Sequence, residues 1–251
     1  MFFVGTSGWQ YDDWRGRFYP HGLPKAGWLS FFAGAFPSVE VNNSFYRLPS
    51  KETFERWRAE TPTGFVVAVK ASRYITHVRR LREPEEPLAL LLEHAAGLGD
   101  RLGPVLFQLP PRFRADLGLL RAFLRALPHR VRAAFEFRDR SWESEEVFES
   151  LDRAGAALVW ADRPGIRLAL PVTGGWAYVR FHQGRETAPG YTREKLRRWA
   201  DRLAETQAKD VFAYFNNDTG GAAVRDAITL TALLLERELA VATPRESPAL
   251  H

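Results

Sequence analysis

Short apolar runs alternate along the chain with longer segments in which apolar positions recur every three or four residues. The first pattern marks buried strands and the second amphipathic helices. Eight strand-like runs stand out, at 2–6, 39–42, 65–70, 105–109, 133–137, 157–161, 177–182 and 211–216. Helical periodicity occupies 26–35, 51–60, 87–102, 117–127, 145–154, 193–207 and 222–239, with Ser50 placed as an N-cap for the second. Short β followed by α predicts a parallel sheet, and eight such strands close a barrel. The fold class is therefore α/β, a TIM (β/α)8-type barrel. The sixth unit breaks the pattern, because 163–175 carries two prolines and three glycines and reads as a loop or small hairpin. Residues 1–241 read as one barrel domain and 242–251 as a frayed polar tail.

Side chains two apart on a strand share a face, and one face of a barrel strand points inward. At the C-terminal strand ends the polar residues fall repeatedly on one parity: Glu40 and Asn42, Lys70 and Ser72, Gln108, Glu136 and Arg138, Asp162, Arg180 and His182, and Asn216. Charges ending otherwise apolar buried strands are costly unless paired or solvated. A shared polar pocket at the catalytic end of the barrel accounts for them, against the alternative of a charge network that only fixes the fold.

Composition narrows the chemistry. The chain is 45% hydrophobic, ample for a packed core, and contains no cysteine, which removes disulfides, thiolate nucleophiles and thiolate-bound zinc. No run reaches the roughly 18 apolar residues of a membrane helix, and the start at Met1 lacks a leader pattern, so a cytoplasmic address without membrane partners is expected. No phosphate-binding glycine motif or redox fingerprint appears, and no cofactor is expected. The net charge of +5 rests on arginine; the lysines are Lys25, Lys51, Lys70, Lys195 and Lys209 alone. That excess favours anionic partners in general rather than nucleic acid in particular.

Several spaced blocks carry a family resemblance. Gly5-Thr6-Ser7-Gly8-Trp9 with Tyr11, Trp14 and Phe18-Tyr19-Pro20 resembles the opening of the YecE-like family, domain-of-unknown-function family 72. Val39-Glu40-Val41-Asn42 with Phe45-Tyr46, Lys70 with Thr76-His77, and Gly103 through Pro110 agree with it. So do Glu136-Phe137-Arg138 with Ser141-Trp142, Arg180-Phe181-His182, and Tyr214-Phe215-Asn216-Asn217. The resemblance spans roughly residues 2–235 and implies a β/α barrel with a site, but no reaction, since the family has no established activity. After the seventh strand, His182-Gln183-Gly184-Arg185 replaces the tighter His-Gly arrangement of the family pattern.

Three readings of the site follow. In the first, Lys70, Arg138, Arg180 and His182 hold a small anionic or polyhydroxyl ligand such as a phosphorylated sugar. Glu40 or Glu136 then serves as base, and Lys70 or His182 as acid. Trp9, Tyr46 and Trp142 form a wall, with Asn42, His77, Gln108, Asp162, Asn216 and Asn217 as further contacts. In the second, Glu40, Glu136, Asp162, His77 and His182 gather a divalent ion for hydrolysis, although no metal-ligand spacing motif is present and no metal is assigned. In the third, the pocket takes a nucleic acid, with Arg79-Arg80-Leu81-Arg82 and Arg112-Phe113-Arg114 tracking phosphates. A glycosidase pair of Glu40 and Glu136 is disfavoured, because neighbouring cations keep both ionised.

Overall fold

The computed structural model describes residues 1–162, 171–182 and 189–244. Eight parallel strands close into a barrel in sequence order, β8 pairing back onto β1. They are β1 (Phe2–Ser7), β2 (Ser38–Val41), β3 (Val66–Lys70), β4 (Leu102–Gln108), β5 (Ala133–Glu136), β6 (Ala157–Asp162), β7 (Ala177–Phe181) and β8 (Val211–Phe215). Each overlaps one of the eight apolar runs, because strands covered on both faces need near-continuous apolar sequence.

Seven α-helices lie among the described residues: α1 (Trp28–Ala35), α2 (Lys51–Ala59), α3 (Glu85–Ala95), α4 (Leu117–Ala126), α5 (Glu145–Arg153), α6 (Arg193–Ala204) and α7 (Ala222–Leu235). Ser50 caps α2 by accepting from the Thr53 amide, and Asp116 and Thr192 do the same for α4 and α6. The long third helix expected from sequence ends early. The α-helix stops at Ala95, and Ala96–Arg101 continues as 3-10 turns into β4, kinked at Gly99, whose φ of +53° suits glycine.

Of the irregular sixth unit, 163–170 lies outside the described residues; 171–176 contains an antiparallel bridge between Thr173 and Trp176. The proposed tail falls largely outside them as well, but Val241 bridges Phe2, and Ala242 N–H donates to Phe2 O at 2.8 Å. Among the described residues no helix is long and apolar enough to cross a membrane.

The core has two shells. The outer one, between sheet and helices, is rich in aromatics such as Phe107, which stacks on Phe135 and meets Phe123 edge-on. The inner one fills the barrel with Ala68, Leu106, Ala134, Val159, Tyr178, Phe212 and Tyr214. Gly5 is required where β1 meets β2: a Cβ there would lie 2.0 Å from Ser38 O.

Candidate functional site

The inner shell fixes which residues point into the barrel. Continuing its parity upward brings Ser7, Glu40, Lys70, Gln108, Glu136 and Arg180 to the C-terminal mouth. Arg180, on β7, is fully buried at the centre. Its Nη2 pairs with Glu40 Oε1 at 2.8 Å and its Nη1 with Glu136 Oε2 at 2.6 Å. Nε also donates to Glu40 at 3.2 Å, Nη1 to Gln108 Oε1 at 3.1 Å, and Nη2 to Asn42 Oδ1 at 3.4 Å. All five donors of the guanidinium are thereby used. This corrects the assignment of Arg180 as an anion-holding residue: its donors face protein acceptors, not a ligand.

The two glutamates are equally committed. Glu40 accepts from Ser7 Oγ at 2.5 Å and Tyr178 OH at 2.6 Å besides Arg180. Burial alone would raise its pKa, but the charge of Arg180 and these donors hold it below the ordinary carboxylate value. Glu136 is lowered further: burial is outweighed by Arg180, His182 and Arg138, whose Nε lies 3.1 Å from Oε1. Both are ionised and saturated near neutral pH, so Glu40 is poorly placed as the base once assigned to it. Tyr178 is pushed up by burial and by Glu40, and stays a hydrogen-bond donor.

His182 sits above this layer. Asn216 Nδ2 donates to its Nδ1 at 3.2 Å, which puts the proton of the neutral imidazole on Nε2, 3.6 Å from Glu136 Oε1. Asn216 also accepts from Asn42 at 3.5 Å, joining β8 to the loop after β2. The loop that follows His182, with Gln183-Gly184-Arg185, lies outside the described residues.

Lys70 differs from every other charge of the mouth. It is only 9% exposed, and among the described residues its ammonium makes neither an ion pair nor a hydrogen bond. Its Nζ lies 4.3 Å from the centre of the Phe45 ring, a cation–π contact. Burial, then repulsion by Arg180, lowers its pKa from 10.5 to about 8, against the pull of Glu40 and Glu136. His77 meets the same Phe45 ring edge-on at 4.9 Å and accepts from or donates to Thr76 Oγ1 at 2.9 Å. Burial and the neighbouring Lys70 lower its pKa, so it is neutral at pH 7. It stands on a π-helical turn, Tyr74–Val78, a rare geometry frequent at functional sites.

Three sequence assignments fall outside the mouth. Asp162 has the wrong parity: Ala157 and Val159 face inward, so Asp162 points outward, where it pairs with Lys195 of α6 at 2.8 Å. The inward residue beside Arg180 on β6 is Ala161. Asn217 follows Asn216 and must face away from it; it donates to Pro189 O and Asp226 Oδ2. Trp142 is fully buried outside the barrel, stacked on Phe137 at 4.6 Å with its Nε1 donating to Phe113 O. Trp9 packs edge-on against Trp57 and lines a small cleft of about 170 Å³ shared with Tyr11 and Asn42, whereas Tyr46 stands 79% exposed at the rim. Conversely, Ser7, Tyr178 and the Ser38–Tyr214 pair, 2.6 Å apart below Glu40, belong to the polar network without having been assigned to the site from sequence.

Among the described residues no group of three His, Asp or Glu side chains is arranged to hold a metal ion. The guanidinium of Arg180 occupies the place between Glu40 and Glu136 that a cation would need. A larger hollow of about 1090 Å³ lies between α1, α2 and the 3-10 turns before β4, beside Thr61 and Arg101; Arg58 and Arg101 there pair with Asp100 and Glu60 with Arg56, and Glu55 is its other charged residue.

The family model for the protein of unknown function DUF72 matches residues 3–250. The chain belongs to this family. It is 30% identical to the UPF0759 protein YunF of Bacillus subtilis, over 93% of this chain and 95% of that one. The UPF0759 protein YecE of Escherichia coli is 27% identical over 68% of this chain and 62% of its own length. A crystal structure of a DUF72 family protein from Thermotoga maritima superposes with a TM-score of 0.81 at 29% identity, covering 94% of this chain and 99% of that one. This DUF72 barrel therefore has the family fold, including the strand order that assembles the mouth.

Proposed function

We propose that the mouth of this DUF72 barrel binds a small anionic ligand bearing hydroxyl groups, of the phosphorylated-sugar class, and exchanges protons with it through Lys70 and His182. The observation that carries this reading is the division of labour among the charges. Three cations, Lys70, Arg138 and Arg180, face two carboxylates, and the carboxylates are bonded to the arginines. Lys70 is left as the uncompensated charge of a buried polar site, where an anion is attracted far more strongly than in water. Asn42, Asn216 and the exposed Tyr46 supply neutral contacts at the rim for hydroxyls and a sugar face.

Proton transfer falls to groups not already saturated. Glu40 and Glu136 are held ionised by Arg180 and serve to orient it. Lys70, with a pKa near 8, is able to give and take a proton near neutral pH, and His182, held between Asn216 and Glu136, presents its imidazole at the same mouth.

The test is thermal unfolding of the pure protein with sugar phosphates, inorganic phosphate, nucleotides, oligonucleotides and divalent metals, in wild type and Lys70→Met. A ligand at 100 times its dissociation constant adds about 2.7 kcal/mol to stability. Stabilisation by a sugar phosphate that disappears in Lys70→Met is the expected outcome. No response to any anion, or an identical response in the variant, would sink the reading.

One observation keeps a nucleic-acid ligand as the second reading. Tyr46 and Tyr74 are exposed, and the Arg79 guanidinium lies 5.3 Å from the Tyr74 ring, a pairing of a stackable ring with a cation. Stabilisation by oligonucleotides that collapses as salt rises would favour it.

A further inference from the structure

Lys70 combines features that a simple anion-binding lysine does not need. Such a residue works best exposed and fully protonated, as a point charge on a flexible stem. Lys70 instead ends its strand inside the barrel, its amine seated over Phe45 and without an anionic partner among the described residues, while the nearby carboxylates are claimed by Arg180. His77 meets the same phenyl ring edge-on at 4.9 Å, and its imidazole is held neutral. An amine in an apolar seat next to another cation is the arrangement that activates lysine as a nucleophile.

We propose that Lys70 captures the carbonyl carbon of a small anionic aldehyde or ketone as a covalent imine. The inference rests on the anion-binding reading above and names the substrate class within it. The ammonium of Lys70 first gives a proton to water. The nitrogen lone pair then forms the C–N bond while the carbonyl π pair moves to oxygen, which takes up a proton. A proton then passes from the nitrogen to that oxygen, which leaves as water while the freed nitrogen pair closes to C=N, giving a protonated imine. One ammonium and one carbonyl thus give one iminium and one water, with no oxidant, reductant or metal. The iminium withdraws electrons from the neighbouring carbon, and His182 stands at the mouth for proton exchange there.

The other four lysines provide the internal control. Lys25 pairs with Asp12 and Lys195 with Asp162, and neither is enclosed as Lys70 is; Lys51 and Lys209 complete the set. At pH 7.5, an amine of pKa about 8 has on the order of a hundredfold more neutral form than one of 10.5.

The experiment uses glycolaldehyde phosphate and uncharged glycolaldehyde as probes, each with sodium cyanoborohydride to fix any imine, followed by peptide mass mapping. The expected result is preferential reduction at Lys70 by the phosphorylated probe, slowed by inorganic phosphate and absent in Lys70→Arg. Equal labelling of all five lysines overturns the proposal. If phosphate or sugar phosphates stabilise the fold while Lys70 stays unlabelled, the imine is refuted and the anion site stands. If glycolaldehyde labels Lys70 as fast as its phosphate, the imine stands and the anion site is refuted.

Discussion

Arg180 reaches from β7 past β6 to meet Glu136 of β5, Nη1 to Oε2, at 2.6 Å. The span is open because β6 contributes only the methyl of Ala161 at that level. A small residue on one strand thus lets its two neighbours join directly, and the pair, with Glu40 on the far side, ties three strands of the mouth together.

Breaking that tie leaves buried carboxylates without their counter-charge. Arg180→Met is expected to lose about 3–5 kcal/mol in urea unfolding. Adding Glu40→Gln or Glu136→Gln should recover part of the loss, since the uncompensated charge is then removed. A double-mutant cycle additive within about 0.5 kcal/mol would show that the groups are not coupled.

Acid should expose the same network. Both glutamates have folded-state pKa values below their unfolded ones, so their contribution is present above the unfolded value of about 4.3 and is lost as pH falls toward the folded values. A plot of unfolding free energy against pH should decline below that point, and in Glu136→Gln the decline should be shallower. An unchanged acid limb in the variant contradicts the assignment.

Lys70 has the opposite signature at the alkaline end. Its folded value near 8 lies below the 10.5 of the free amine, so between these limits the unfolded chain holds a proton that the folded one has released. Stability therefore climbs from about pH 8 to 10.5, and below that window Lys70→Met should be the more stable protein, by at most about 3 kcal/mol. A flat difference curve between the two proteins across this range would remove the basis for an activated amine.

Trp142 and Asp162 test the division between site and scaffold. Trp142→Phe discards the indole donor to Phe113 O in a fully buried position and is expected to cost about 1–3 kcal/mol. Asp162→Asn weakens the bond to Lys195 on the helix side of β6. Neither should alter the thermal shift produced by an anion at the mouth; a lost shift in either would return that residue to the site.

Tyr46 should behave in the reverse way. At 79% exposure its replacement by alanine ought to leave stability within about 0.5 kcal/mol. Ligand affinity, read by titration, should nevertheless fall if the rim contacts the bound molecule.

The barrel was legible because parallel strands covered on both faces must be written as apolar runs, and each of the eight was found within a few residues of its true limits. The inward-facing polar cluster of the mouth was legible through parity, and the errors came from not applying it throughout. Asp162 breaks the alternation set by Ala157 and Val159, and Asn217 adjoins Asn216, so neither fits the inward face on the evidence of spacing alone. Tyr178 and Tyr214 escaped for a different reason. A tyrosine inside an apolar run differs from phenylalanine by one hydroxyl, and only the folded barrel brings the partners Glu40 and Ser38 to it. The commitment of Arg180 to five hydrogen bonds, shared by four acceptors, likewise depends on four separate strand-end segments meeting, which no local pattern encodes.

Tyr178 and Tyr214 also close the barrel beneath Glu40, with Phe212 and Leu106 filling the space around and below them. A molecule entering the mouth meets a floor one side-chain layer down, and nothing can pass through to the far end. Entry and departure must share a single doorway. On the proposed reading, a molecule still in place blocks the next arrival, so ligands compete for one doorway and none queues through a channel.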